Sequence, residues 1–137
     1  DRAGALDALD EAIERAPEAD VLYLERASLR RDMGLRTLAW RDARWAIDSN
    51  DESPEAYVLR AQIALEIESP KEAFDDLDDA IEIDPDFAPA HAWRGRAFQL
   101  AGDVDAAEDD WQAAEELLEP DDPLRAEIQA WRRESRA

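Results

Sequence analysis

The residues best placed to do chemistry are arginines and aspartates that return in step. Arg26, Arg60 and Arg94 lie 34 residues apart, and each is followed sixteen residues later by an aspartate: Asp42, Asp76 and Asp110. On the two arms of a helical hairpin, such a pair can meet at the interface between the helices, or the aspartate can reach the arginine of the next repeat. A charge-assisted Arg–carboxylate contact of this kind positions elements rather than turning over a substrate. The remaining candidates are weaker. Asp75, Asp76, Asp78 and Asp79, then Asp103, Asp105, Glu108, Asp109 and Asp110, invite a cation-binding reading. A calcium loop, however, needs alternating oxygen ligands around a glycine turn, closed by a glutamate. These carboxylates fall largely on helical pattern and radiate in several directions, as a solvated face does. His91 is the single histidine and there is no cysteine, so no Cys/His metal set can assemble. None of the serines sits in a nucleophile elbow, and no glycine-rich phosphate loop occurs. The residues thus point to no catalysis, no metal and no cofactor. A carboxylate-based enzyme or cation binder stays as the last of the alternatives.

Thirty-six acidic residues face sixteen basic ones, a formal net charge of -20, and Lys71 is the only lysine. This surface repels nucleic acid and anionic membrane by the Coulomb term that draws basic proteins to them. It suits a solvating shell for concentrated salt, where screening removes self-repulsion, and equally a match to a basic partner. No apolar run approaches the roughly 18 residues a membrane span needs. Residues 1–19 lack the order of a secretory leader. The chain does not begin with Met, which points to truncation ahead of residue 1, and the compartment stays open with a slight lean to cytoplasmic.

What must position the arginines and aspartates is a repeat. Shifted by 34 residues, the chain aligns with itself in units that start at residues 20, 54 and 88. Position 4 reads Tyr23, Tyr57 and His91, which gives His91 a packing role. Position 8 is small: Ala27, Ala61 and Gly95. Alanine returns at position 20 (Ala5, Ala39, Ala73, Ala107) and at position 27 (Ala12, Ala46, Ala80, Ala114). Positions 4, 8 and 11 form one stripe of a first helix, and 20, 24, 27 and 28 one stripe of a second, by 3.6-residue periodicity. Leu9, Leu77 and Trp111 at position 24 fill the seam. Gly34 and Gly102 suit the left-handed residue that ends a helix. Ser69 to Glu72 replaces that glycine in the middle unit and reads as a capping box with Pro70 at the first helical position. Ser53-Pro54 and Asp122-Pro123 open two further helices in the same way.

These positions resemble the tetratricopeptide repeat (TPR) family, whose signature runs W-x2-L-G-x2-Y, A-x3-F, A, P. The third unit offers His91, Arg94-Gly95, Phe98, Ala107, Trp111 and Ala114; the second offers Tyr57, Arg60-Ala61, Ala73, Leu77, Ala80 and Pro85. The first departs most, with Arg30 at position 11, Ala43 at 24 and Asp51 at 32. The resemblance implies an all-α, right-handed solenoid of stacked antiparallel hairpins. Residues 1–19 form the second helix of an incomplete unit, 20–53, 54–87 and 88–122 are three full units, and 123–137 is a capping helix with Leu124, Ile128 and Trp131 on its apolar stripe. The incomplete unit leaves self-association open.

The resemblance also implies a ligand surface on the concave side, lined by the first helices. Positions 5, 9 and 12 there are Leu24, Ser28 and Arg31, then Val58, Gln62 and Leu65, then Ala92, Arg96 and Gln99. This stripe carries no acid in a chain crowded with acids. A TPR subclass clamps chaperone C-termini with Lys at position 5 and Asn at position 9, and this chain has neither. Trp40 and Trp45, beside Arg41 and Arg44, pack against neighbouring helices or offer an exposed aromatic patch. The expected role is a scaffold that binds a protein or peptide partner in the concave groove. The rival is a regulatory or assembly segment of a larger chain.

Overall fold

The computed structural model describes residues 1–137 as eight helices and no strand. They are α1 (Arg2–Arg15), α2 (Asp20–Asp32), α3 (Arg36–Ser49), α4 (Pro54–Glu66), α5 (Pro70–Ile83), α6 (Ala88–Leu100), α7 (Val104–Leu117) and α8 (Pro123–Arg136). Consecutive helices pack as the hairpins α2/α3, α4/α5 and α6/α7, with α1 against α2 and α8 against α6 and α7. The first helices also touch each other, α2 on α4, α4 on α6 and α6 on α8, whereas α3, α5 and α7 do not. Helices on the inside of a curve are the ones brought together, so α2, α4, α6 and α8 line the concave side of a helical solenoid.

Alanine sets how close the hairpin arms come. Ala27, Ala39, Ala61, Ala73, Ala97 and Ala107 are completely buried, and the seam between α6 and α7 is tighter still. There a Cβ on Gly95 would lie 2.5 Å from Cδ1 and Nε1 of the Trp111 indole, so only glycine lets the ring sit flat on α6. Trp111 is fully buried, and its Nε1 donates to the Ala92 carbonyl at 3.2 Å, which satisfies the indole in the core. The core runs as separate clusters from unit to unit, as in arrays where each repeat leans only on its neighbours.

The caps follow local sequence with one correction. Ser53 and Asp122 accept backbone N–H groups from Ala56 and Leu124, each followed by proline in the first turn. Ser69 does not cap: its hydroxyl donates to Glu72 Oε2 at 3.0 Å, and its oxygen takes no N–H. The middle turn instead keeps the left-handed residue of its neighbours on a side-chain-bearing position. Gly34 and Gly102 have φ of 78° and 90°, and Glu68 at the equivalent place has φ of 59°. A glutamate in that region is strained by about 1–2 kcal/mol.

Candidate functional site

Two layers of arginine distinguish this solenoid: one clamps the hairpins and the other opens onto the concave face. In the first, Arg26 donates from Nε and Nη2 to Asp42 at 2.9 and 2.8 Å, Arg60 to Asp76 at 2.9 and 2.7 Å, and Arg94 to Asp110 at 2.8 and 2.9 Å. Each pair joins the first and second helix of its own unit. The three aspartates are the only charged residues in the core, at 4–6% exposure. Hydrogen bonding to the carboxylate holds all three guanidinium pKa values above the ordinary arginine value, against the opposing cost of burial. Links to the preceding unit come two residues beyond the aspartate position: Asp10 accepts from Arg26 and Asp78 from Arg94. Arg44 occupies the corresponding place in α3 and supplies no such acceptor to Arg60. Arg60 instead stacks near the rings of Trp40 and Tyr57, at 5.5 and 5.9 Å.

The second layer is Arg31 and Arg96. Arg31 donates from Nε to Glu66 Oε1 at 2.6 Å and from Nη1 to Gln62 at 3.2 Å, and its guanidinium lies 5.8 Å from the centre of the Trp93 ring. Arg96 donates from Nη1 to Gln99 at 2.7 Å and to Glu134 of α8, 5.6 Å from the Trp131 ring. The two indoles meet edge to face, 4.9 Å between centres. Gln99 fastens α8 by donating to the Trp131 carbonyl and the Ser135 hydroxyl, both at 2.6 Å. Together with Leu65 and Leu100 these residues enclose an open cleft of about 230 Å³ on the concave face. Glutamines and glutamates hold each guanidinium from one side. Arg31 Nη2, and Arg96 Nε and Nη2, remain without a protein acceptor.

Not every residue of the expected stripe reaches this surface. Val58 is 5% exposed and Ala92 is fully buried, so both belong to the core. Position 5 turns inward where successive first helices pack on one another. Leu24 and Ser28 lie beside a separate shallow pocket with Val21, Glu25, Glu55 and Leu59. The stripe is also not free of acid nearby, since Glu66 and Glu134 reach into it from outside the counted positions. Trp93 lines the cleft from outside the expected stripe. It sits at position 6, beyond the concave stripe on the side away from the core stripe, and becomes a cleft wall only once α8 places Trp131 against it.

No family model matches the sequence. Solved structures do resemble it. TTC0263, a thermophilic TPR protein of Thermus thermophilus, superposes with a TM-score of 0.86 at 21% identity, over 98% of this chain and 72% of that one. MamA superposes with a TM-score of 0.75 at 22% identity, over 85% of this chain and 68% of that one. The first TPR of Spaghetti (RPAP3), solved bound to the HSP90 peptide SRMEEVD, gives 0.72 at 18% identity, over 86% of this chain and 94% of that one. The chain has the TPR fold.

Within that fold the other candidates fall into place. His91 fills the TPR aromatic slot, and its Nε2 lies 2.7 Å from the Pro85 carbonyl. Because a carbonyl only accepts, Nε2 carries the proton, as the Tyr23 hydroxyl does toward Pro17 in the first unit. Trp45 is half exposed but leans on Tyr23, 5.8 Å between ring centres. The acidic clusters of α5 and α7 bring no three His, Asp or Glu side chains into metal-binding geometry. Crowding shows at Asp79, where burial and the neighbouring Asp76, Glu82, Asp75 and Asp78 push the carboxyl pKa up. Arg132 of α8 does the reverse to Glu115, holding its pKa down through hydrogen bonds that close the C-terminal end of the core.

Proposed function

We propose that this chain is a protein-interaction scaffold that holds a segment of a partner protein along the concave face of α2, α4 and α6. The observation that carries the reading is the cleft between Arg31 and Arg96. Two partly covered guanidiniums keep unused N–H donors there, beside tryptophan faces and leucine side chains. Charge-assisted bonds from such donors are about twice as strong as neutral ones, and a partner's carboxylate or carbonyl is what they would accept. Apolar contact comes from Leu65 and Leu100, while the tryptophans and arginines beside them are the residue types that dominate interface anchors. The acids of α5 and α7 on the outer side would turn away acidic strangers by repulsion. The peptide-bound RPAP3 TPR gives the precedent of a small array of this fold occupied by a peptide. Since the chaperone clamp residues are missing here, the segment recognised differs from a chaperone tail.

The test begins with a partner captured by pull-down and identified by mass spectrometry, followed by calorimetry on two variants. Arg96→Glu removes a donor and adds repulsion, so affinity should fall by more than about tenfold, about 1.4 kcal/mol. Asp79→Arg on the outer face should change it little. Loss of binding with Asp79→Arg and retention with Arg96→Glu would move the partner to the outer face and refute the proposal.

A further inference from the structure

The cleft on the concave face does not end at its rim. Leu65 and Leu100, which form its apolar wall, also line a second pocket of about 280 Å³, together with Pro70, Ala101 and Glu68. This one lies at the edge of the solenoid, where the α4–α5 and α6–α7 turns stand side by side. Leu100 is 56% exposed and Ile67 nearby is 47% exposed, among the largest apolar exposures on the molecule. Glu68, in the left-handed turn conformation, is the one charged residue of this pocket's lining.

We infer that the partner segment leaves the concave groove over this edge and anchors an aliphatic side chain between Leu65, Pro70, Leu100 and Ala101, with a carboxylate a few residues away seated on Arg31 and Arg96. This deepens the groove reading and rests on it. Charge orders the occupant. Arg31 and Arg96 are each paired with a glutamate, and the N–H donors they keep unused offer bonds to a carboxylate at the inner end of the path. Glu68 repels one at the outer end, where the lining is otherwise apolar. One continuous segment can serve both ends because the two pockets share the same two leucines. A second copy of this chain fits poorly as the occupant, since at a net charge of -20 it would bring far more acid than the path can neutralise.

The probe is a phage-displayed library of random linear peptides selected on the intact chain, followed by calorimetry on the synthesised winners. Selected peptides should share an aliphatic residue within a few positions of Asp or Glu. Ala101→Gln fills only the edge pocket and should weaken them by about tenfold. Arg96→Glu should weaken them as well, and Asp79→Arg should not. Ala101 is exposed and lies past the end of α6, so its variant keeps the fold, as the far-ultraviolet circular dichroism of each variant would verify. Peptides that depend on Arg96 but not on Ala101 would overturn the edge anchor and leave the groove reading standing. Peptides indifferent to both, or a selection that enriches nothing, would overturn both.

Discussion

The hairpins α2/α3 and α6/α7 share one backbone plan and fill their seams in opposite ways. In α6/α7 the seam is volume: Trp111 lies on Gly95, with Phe98 at position 11 and Trp131 of α8 stacked beyond. In α2/α3 the same positions hold Ala43, Ala27 and Arg30. What replaces the lost indole is Ile63 and Leu59 of the next unit, packed on Ala27, Ala39 and Ala43, together with added charge. Arg30 donates from Nη1 to Asp42 at 2.7 Å, so one buried carboxylate serves both Arg26 and Arg30. The repeat therefore dictates helix spacing and the Arg–Asp clamp, while the material in the seam is interchangeable between apolar bulk and a salt-bridge network.

The sharpest way to break the comparison is to remove the bulk. Trp111→Ala should destabilise the chain by about 3–5 kcal/mol, since the indole is fully buried against a glycine that cannot fill the hole. Ala43→Gly at the equivalent position should cost only about 1–2 kcal/mol, the helix-propensity difference plus one buried methyl. Urea unfolding of the two variants measures both. Equal costs would mean that the two seams contribute alike.

Removing the charge inverts the ranking of the units. Asp42→Ala removes the acceptor shared by two arginines, of which Arg26 keeps Asp10 and Arg30 keeps none, and should cost about 3 kcal/mol. Asp110→Ala strands only Arg94, which still has Asp78, and should cost about 1 kcal/mol less. Thermal melts at one ionic strength compare them directly. A larger loss from Asp110→Ala would refute the claim that the first seam is the electrostatic one.

The smallest expected effect concerns the hairpin between them. Glu68→Gly brings the α4–α5 turn into line with Gly34 and Gly102, and should stabilise the chain by about 1 kcal/mol by relieving the left-handed strain. A destabilised variant would show that the Glu68 side chain contributes more than its backbone costs.

Much of this was legible in residue spacing. Alanines at fixed intervals announced the hairpins, because close helix approach leaves few other side chains. The Arg–Asp spacing announced where charge would meet, because both members recur in every unit. The concave cleft was only half legible. Arg31, Gln62, Leu65, Arg96 and Gln99 sit on the expected stripe, but Val58 and Ala92 turn into the core. Trp93, Glu66 and Glu134 enter the cleft through contacts between units, and α8 carries one of them on a helix whose sequence departs from the repeat. A period within one unit cannot report what the next unit brings to its surface. The Ser69 cap was not legible either: serine, proline and glutamate have the right order, yet the hydroxyl donates to the Glu72 carboxylate and its oxygen accepts no backbone N–H.

The most direct test of the concave-face assignment is amide hydrogen exchange on the chain with and without its captured partner. Added protection should gather in the C-terminal turn of α2 at Arg31, in α4 and α6 around Gln62, Leu65, Arg96 and Gln99, and in the adjoining turn of α8, while the outer helices α3, α5 and α7 exchange as before. Protection confined to α5 and α7, with the Arg31–Arg96 cleft unchanged, would contradict it.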